Sequence, residues 1–301
     1  MVGKVTQSTG AWYQVKSERQ PIYTCKLRGK LRLNNWKLTN PVAVGDEVVF
    51  DLEKDKATGV ITEILPRKNY IIRQSPRRKN YSQIIAANID QVLLVATLAA
   101  PRTTLGMIDR FLVTAESWSI PATLLFNKVD RLDIMQQNEL KAIRKLYEAI
   151  GYPTLAVSAL KNKNIAPLID LLANKTSLLS GPSGVGKSTL VNVIAPAINQ
   201  KVRNLSRLHQ KGTHTTTYAA MFEIAPHTFL MDTPGIKALV PHEIEKEKLS
   251  HYFPEMKSRL QACKFYNCTH THEPACAVIK ARKQGEIAES RYRSYEYMMK
   301  Q

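Results

Sequence analysis

The sequence has no apolar run that approaches the roughly 18 residues needed to cross a bilayer. Residues 1–10 are polar and contain no signal-peptide core. There is no internal repeat and no low-complexity tract, and 44% of the 301 residues are hydrophobic and 23% charged. These features exclude membrane and disordered classes and predict a cytoplasmic protein of two or three folded domains.

The sequence has only four cysteines, and three of them, Cys263, Cys268 and Cys276, fall within 14 residues. This distribution excludes a disulfide framework. Clustered cysteines in an intracellular chain indicate metal ligation instead. The isolated Cys25 is interpreted as a small buried or half-buried residue.

Acidic residues are few, with 25 Asp and Glu against 43 Lys and Arg, so the formal net charge is +18. Such a balance favours a polyanionic partner through phosphate contacts. An anionic membrane is the competing partner, but no basic amphipathic helix flanked by bulky apolar residues occurs. We therefore predict that the partner is a nucleic acid and not a membrane. Residues 1–80, with 16 basic and 7 acidic residues, carry half of the net charge and are expected to contribute strongly to this binding.

The N-terminal part, residues 1–72, contains short β-rich runs at residues 12–15, 23–27, 46–50 and 60–64, split by glycine and proline. Several short strands with interleaved lysine and arginine predict a barrel of the OB type, a fold often used on oligonucleotides. We therefore predict an RNA-binding OB domain here. The alternative is a generic β domain that only keeps the chain soluble.

The central part, residues 73–240, opens with a basic stretch at residues 73–80 that predicts an exposed linker. Apolar strand-like runs then alternate with helical segments such as residues 133–150, which predicts a parallel sheet covered on both faces. These runs lie at residues 91–95, 123–126, 154–157, 177–179 and 228–231. The last part, residues 241–301, is predicted to be a mainly helical domain around a metal.

A phosphate-binding loop is the strongest motif: Gly181-Pro182-Ser183-Gly184-Val185-Gly186-Lys187-Ser188 matches Gly-x-x-x-x-Gly-Lys-Ser at every fixed position. A strand is predicted to enter the loop and a helix to leave it, so backbone N–H groups converge on the phosphates, with Thr189 next in line. Lys187 supplies charge to the β and γ phosphates, and the Ser188 hydroxyl is a ligand for Mg²⁺.

A second phosphate-side motif is Asp232-Thr233-Pro234-Gly235, which follows the apolar run at residues 228–231. Asp232 is therefore predicted at the carboxyl end of a strand, where sheet ligands bind, and is expected to bind Mg²⁺ through water. The Gly235 N–H is expected to approach the γ-phosphate.

Two guanine-reading motifs follow other predicted strands. Asn127-Lys128-Val129-Asp130 resembles the Asn-Lys-x-Asp signature of GTPases, and its Asp130 carboxylate would accept from two guanine donors that adenine lacks. Ser158-Ala159 resembles the loop whose backbone contacts the guanine carbonyl. Both motifs precede Gly181, whereas most GTPases have the opposite order, so the domain is predicted to be circularly permuted.

The metal motif is Cys263-x4-Cys268-x-His270-x5-Cys276, a set of three thiolates and one imidazole suited to a closed, structural Zn²⁺ site. The neighbouring His272 is an alternative fourth ligand.

Together these motifs resemble the RsgA family (also called YjeQ or YloQ), circularly permuted GTPases of small-subunit assembly, over nearly the whole chain. The resemblance implies GTP hydrolysis stimulated by the small (30S) ribosomal subunit, binding of its rRNA, and a role in late maturation or checking of that subunit. The implied cofactors are GTP/GDP, Mg²⁺ and one structural Zn²⁺. We expect a monomer.

The family's switch segment matches Gly212-Thr213-His214-Thr215-Thr216, where arginine is common at the position of Thr213. Either Thr215 or Thr216 would close on Mg²⁺ and the γ-phosphate. Ras-like GTPases orient the attacking water with a glutamine, but here Ile236 follows Gly235. His214 is the candidate to orient that water; the alternative is a solvated loop histidine that contacts RNA.

Two rival functions share part of this pattern. A P-loop ATPase or kinase would use the phosphate loop but not Asn127 or Asp130. A non-catalytic RNA-binding assembly factor would use the nucleotide site only to stabilise the fold.

Overall fold

The computed structural model describes residues 1–9, 11–17, 22–29, 31, 40–53, 58–74, 82–196, 220–232 and 244–301. The chain divides into two compact units. One contains Met1–Gln91, Ala166–Leu179 and Leu190–Ile236, and the other contains Val92–Ile165, Ser180–Thr189 and Lys237–Gln301. Across the described ranges, no helix has both the length and the apolar character needed to cross a bilayer.

The strands are β1 (Val2–Ser8), β2 (Tyr13–Ser17), β3 (Ile22–Leu27), β4 (Glu47–Leu52), β5 (Thr58–Ile64), β6 (Tyr70–Gln74), β7 (Ser82–Ala87), β8 (Gln91–Ala96), β9 (Ala122–Phe126), β10 (Thr154–Ala156), β11 (Thr176–Ser180), β12 (Ala220–Ala225) and β13 (Thr228–Asp232). The α-helices are α1 (Leu105–Ser117), α2 (Ile134–Ile150), α3 (Ile165–Leu172), α4 (Lys187–Ile194), α5 (Pro254–Lys257), α6 (Ala277–Lys283) and α7 (Glu289–Met299). Short 3₁₀ segments lie at Val129–Arg131, Lys246–Tyr252 and Leu260–Ala262.

Strands β1 to β5 close into a five-stranded barrel. The order is β1-β2-β3-β5-β4, and β4 pairs back onto β1. All neighbours are antiparallel except β3 and β5, which are parallel. The interior is filled by apolar side chains that alternate along the strands: Val5, Tyr13, Val15, Cys25, Leu27, Val42, Val48, Phe50 and Ile61. The predicted OB-type barrel is confirmed.

A buried ion pair fixes the loop that leads into β4. Asp46 is fully buried, and its two oxygens accept from Arg67 Nε at 2.6 Å and Nη2 at 2.7 Å. The same carboxylate accepts from the Ala43 backbone N–H at 2.8 Å. Because both oxygens are paired, the loop is held against the barrel without an unsatisfied buried charge.

Strands β6 and β7 form an antiparallel hairpin. Arg73 and Gln74, which the sequence predicted to begin a linker, are instead the last residues of β6. The apolar residues Ile71 and Ile72 pair with Ala86 and Ile84, and the same ladder continues through Arg73 and Gln74. The rest of the predicted linker, residues 75–80, lies outside the described residues.

The second unit contains the parallel strands β8, β9 and β10, in the order β10-β9-β8. Every residue of β8 and β9 is buried, as expected for strands covered on both faces. Helix α2 begins after Asp133, which forms a capping box with Gln136, and ends at Gly151 with φ 109°. Its predicted position is confirmed to within one residue.

In the first unit, β11 pairs in parallel with β13, but β12 pairs with β13 antiparallel. The five apolar runs that the sequence analysis named all lie in parallel pairs, as predicted; β12, which it did not predict, adds the antiparallel pair. Only Pro226 and His227 separate the two strands. Such a short connection cannot hold the crossover that a parallel pair requires.

The C-terminal residues form short helices around a core of their own: Leu249, Phe253, Met256, Cys276, Val278, Ala281, Ile287, Tyr292 and Tyr295. Val113 of α1 packs in the same cluster. The prediction of a mainly helical C-terminal part is confirmed.

Candidate nucleotide and metal sites

Two glycines of the phosphate loop occupy positions where no side chain fits. Gly181 has φ 143°, and a Cβ placed there would lie 2.3 Å from the Val95 carbonyl oxygen. Gly186 has φ 96°, and its Cβ would lie 2.4 Å from Asn127 Nδ2. The spacing of the motif is therefore set by close backbone approach, as a loop that wraps phosphates requires.

The loop runs from β11 into helix α4, which begins at Lys187. Lys187 Nζ donates to the carbonyl oxygens of Gly181 at 2.7 Å and Pro182 at 2.6 Å, so its ammonium lies over the loop. Ser188 and Thr189 are exposed in the first turn of the helix. An ammonium, hydroxyls and the first N–H groups of a helix are the kinds of group that bind anions in proteins.

The Asn127 amide joins the guanine motifs to the phosphate loop. Its Nδ2 donates to the Val185 carbonyl at 3.0 Å, and its Oδ1 accepts from the Ala159 N–H at 3.1 Å. The side chain is only 3% exposed, so both hydrogen bonds are shielded from water. One residue of the Asn-Lys-x-Asp motif thus bonds to each of the other two motifs.

Lys128 makes a second link to the phosphate loop. Its backbone is left-handed at φ 63°, and Nζ donates to the carbonyls of Gly184 at 2.6 Å and Ala100 at 2.9 Å. A cation that spans two carbonyls fixes the loop's position beside the guanine motif. Asn127 and Lys128 therefore both hold the phosphate loop beside the predicted guanine motif.

Asp130 and Ser158 differ in exposure. Asp130 lies in the 3₁₀ turn Val129–Arg131 and is exposed, so its carboxylate is accessible to a ligand. Ser158 is fully buried, and its Oγ accepts from the Lys161 N–H at 3.1 Å, which shapes the loop that presents Ala159.

Part of the predicted site lies beyond the described residues. Asp232 is the last residue of β13, and its backbone pairs with Ala220. The candidates Thr213, His214, Thr215 and Thr216 fall outside the described ranges, as do Thr233, Pro234, Gly235 and Ile236.

The ligand atoms of Cys263, Cys268, His270 and Cys276 all lie within 4.8 Å of one another. Tetrahedral Zn²⁺ with bonds of about 2.3 Å to sulfur and about 2.0 Å to nitrogen separates two sulfurs by about 3.8 Å and sulfur from nitrogen by about 3.5 Å. The Cys263 and Cys276 sulfurs are 3.9 Å apart, and His270 Nδ1 lies 3.6 and 3.4 Å from them. The donor set and its spacing fit Zn²⁺.

His270, not His272, belongs to this cluster. His272 Nδ1 instead lies 2.9 Å from the Thr271 hydroxyl on the surface. Two tyrosines of α7 fix the loop: Tyr292 donates to the His270 carbonyl at 2.6 Å, and Tyr295 to the Thr269 carbonyl at 2.8 Å.

The surroundings of the cluster favour the neutral form of the His270 ring, but they disfavour deprotonated cysteines unless a cation is bound. Burial lowers the pKa of His270, which keeps the ring available as a ligand. Burial also raises the pKa of Cys268 to about 12. A bound cation would offset that cost by stabilising the deprotonated sulfur.

Sequence reasoning missed a buried ion network between α1 and α7. Arg291, fully buried, donates to Asp109 Oδ1 at 2.7 Å and to Glu255 Oε1 at 2.7 Å. The signal was present in the sequence, because Arg291 stands one helical turn before Tyr295 and next to Tyr292, on the apolar face of α7.

Two family models match the chain: the RsgA N-terminal domain at residues 2–61 and the RsgA GTPase at residues 64–240. A relative from Christiangramia forsetii, named small ribosomal subunit biogenesis GTPase RsgA, is 49% identical over 99% of this chain and 96% of its own length. A relative of the same name from Bacteroides fragilis is 44% identical over 99% of this chain and 96% of its own.

Two solved structures have the same architecture. The crystal structure of YjeQ from Thermotoga maritima has a TM-score of 0.83 at 34% identity and covers 99% of this chain and 96% of its own. The crystal structure of YloQ, described as a circularly permuted GTPase, has a TM-score of 0.78 at 29% identity and covers 99% and 93%. With the family models, these similarities show that the chain belongs to the RsgA family of circularly permuted GTPases.

Proposed function

We propose that this GTPase acts in late maturation of the small (30S) ribosomal subunit, binding its rRNA and releasing or checking the subunit on GTP hydrolysis. The Asn127 amide carries the nucleotide part of the proposal, because it bonds to Val185 and Ala159 and so joins base and phosphate recognition. The names of the relatives support the ribosomal part. We further propose that the protein is a cytoplasmic monomer with three domains, at residues 1–72, 73–240 and 241–301.

In the proposed mechanism the phosphate loop binds the nucleotide, and Lys187 neutralises charge on the β and γ phosphates. Ser188 would ligate Mg²⁺, with Asp232 acting through water; the ion would neutralise charge that develops on the phosphate oxygens. Thr215 or Thr216 would complete this arrangement, and His214 would orient the attacking water. Zn²⁺ on Cys263, Cys268, His270 and Cys276 would be structural.

GTP turnover with and without purified small subunits is the decisive experiment. We expect turnover to rise when subunits are added and to vanish in Lys187→Ala. A P-loop ATPase would hydrolyse ATP at least as well as GTP. A non-catalytic assembly factor would show no turnover in either condition, and that result would contradict the proposal.

Guanine selection should depend on Asp130. In Asp130→Asn, GTP affinity is expected to fall about 10- to 100-fold, because hydrogen bonds to a charged group contribute about 1.5 to 3 kcal/mol. Affinity for xanthosine triphosphate should rise, since the new amide can donate to the extra xanthine carbonyl. Competition binding with both nucleotides measures the change.

Asp133→Asn is the matched control for that substitution, because asparagine also caps helices well and Asp133 caps α2. It should leave the base preference unchanged. Equal GTP affinity in Asp130→Asn and the native chain would refute the guanine assignment.

RNA binding by the barrel is supported by Trp12 and Lys26. Trp12 is 38% exposed, and Lys26 Nζ lies 4.5 Å from its ring centroid, so an aromatic face and a cation are adjacent on the barrel surface. In the recognition of single-stranded RNA, a base stacks on such an aromatic ring and a phosphate contacts the neighbouring cation.

The two residues should have separable effects on subunit binding. Trp12→Ala should weaken binding by about 1 to 3 kcal/mol with an unchanged salt slope, as loss of one stacked base predicts. Lys26→Ala should make the plot of log K against log salt shallower by about 0.7 to 0.9. Lys145→Ala, an exposed lysine on α2, is the charge control. Equal effects of Lys26→Ala and Lys145→Ala would contradict a specific role for the barrel.

A further inference from the structure

The β12–β13 hairpin is built onto the barrel. Ala220, the first residue of β12, pairs with Gln7 of barrel strand β1 on one side and with Asp232 of β13 on the other. The predicted Mg²⁺-binding aspartate is therefore one strand removed from the barrel. Barrel and hairpin also belong to the same compact unit.

An ion pair joins the second barrel strand to the hairpin. Lys16 of β2 is paired with Glu223 of β12, and the two side chains are only 18% and 31% exposed. These residues are 207 positions apart in the sequence. Partial burial reduces screening by water, so this pair contributes more to orientation than a fully exposed one.

Strand β13 also contacts the barrel unit, through Lys4, Lys16 and Gly45. Phe229 is 8% exposed, and its ring centroid lies 5.1 Å from Lys4 Nζ and 5.7 Å from Lys16 Nζ. A Cβ placed on Gly45 would lie 2.7 Å from Met231 Cε, so the methionine packs directly on the glycine backbone. Both strands of the hairpin are therefore attached to the barrel by side chains.

We propose that Lys16 and Glu223 are positioning residues for GTP hydrolysis, which transmit the barrel's contact with RNA through the β12–β13 hairpin to Asp232. The inference rests on the proposed function for its partner, the small subunit. Two successive backbone pairings, Gln7 with Ala220 and Ala220 with Asp232, connect the barrel to Asp232, and the Lys16–Glu223 ion pair connects the same strands a second time. If the barrel and Asp232 are coupled in this way, the coupling acts in both directions, so the state of the nucleotide site also affects the barrel.

A merely structural contact makes a different prediction. If the Lys16–Glu223 pair only stabilised the fold, breaking it would lower melting temperature and basal turnover together. If the pair transmits the barrel's state, breaking it should reduce the stimulated kcat at saturating subunit, where any loss of subunit affinity no longer counts.

The test compares Glu223→Lys, Lys16→Glu and the double swap Lys16→Glu/Glu223→Lys. Each single variant is expected to lower the subunit-stimulated kcat between about twofold and thirtyfold, the range typical of residues that carry coupling. The double swap should recover most of it, because the opposite charges are restored. Glu148→Lys breaks the Arg144–Glu148 pair on α2 and should keep the stimulated kcat of the native chain.

A second measurement needs no ribosome. Amide hydrogen exchange of β1 should differ between the GDP-bound full chain and the chain bound to a non-hydrolysable GTP analogue, because coupling is reciprocal. That difference should disappear in Glu223→Lys.

The outcomes separate the inference from the proposed function. If the native chain is not stimulated by subunits, the proposed function fails and the exchange measurement alone decides the inference. If β1 exchange is the same in both nucleotide states, the inference is overturned. It is also overturned if Glu223→Lys and Glu148→Lys show the same stimulated kcat, or if the double swap is no better than the single variants.

Discussion

Removing zinc with a chelator is expected to unfold the C-terminal residues 263–301 while the barrel stays folded. Structural Zn²⁺ contributes about 10 to 16 kcal/mol in small zinc-binding peptides at neutral pH. A core as small as that around Phe253 and Tyr295 has no comparable reserve. Protease sensitivity of the full chain, with fragments identified by mass, measures the expected loss.

The physical reason lies in how the cluster is assembled. His270 and Ala275 both have positive φ, at 59° and 58°, which non-glycine residues adopt only when the surroundings impose it. Tyr292 and Tyr295 bond to carbonyls of this loop, so α7 is attached to the ligand positions. Loss of the metal would therefore release α7 as well as the loop.

Cys276→Ser and Cys25→Ser make a matched pair for this experiment. Cys276→Ser should bind less than one zinc per chain and should show the same protease pattern as the chelated protein. Cys25 lies in the barrel core and is not one of the four clustered ligands, so Cys25→Ser should retain the metal. A full complement of zinc in Cys276→Ser would contradict the ligand assignment.

The motifs that could be recognised in the sequence are those whose residues stand close together along the chain and form one local structure. Gly181, Gly186 and Lys187 lie within one loop, and their requirement for close backbone approach leaves a readable spacing. Asn127 and Asp130 likewise stand within four residues of each other, so their spacing can be recognised in the sequence. Short β-rich runs split by glycine and proline likewise predicted the barrel strands, because such runs are local in the sequence.

The features that sequence reasoning missed depend on contacts between distant residues. Lys16 and Glu223 are 207 positions apart, and Asp109 and Arg291 are 182 apart. Nothing in either neighbourhood specifies the partner. The choice between His270 and His272 was open for a related reason, since the spacing allows both and only the backbone turn brings one ring to the three sulfurs.

Arg291→Leu is expected to destabilise the protein by about 3 to 5 kcal/mol, because it leaves buried carboxylates without their cation. Asp109 and Arg291 are fully buried, and Glu255 is 8% exposed. Asp109 also accepts from Tyr147 at 2.6 Å and Ser294 at 2.5 Å, so its negative charge is confined to a site with no water access. Denaturant titration of the native and variant chains measures the difference.

Arg293→Leu on the same helix is the matched control. Its side chain is 74% exposed and pairs only with Glu289 among the described contacts, so its loss should cost less than about 1 kcal/mol. The double variant Asp109→Asn/Arg291→Leu should lose less stability than the two single variants added together. The reason is that Asp109→Asn removes one of the carboxylate charges that Arg291→Leu leaves without a cation. Equal losses for Arg291→Leu and Arg293→Leu, or strict additivity in the double variant, would show that the network does not join α1 to α7 energetically.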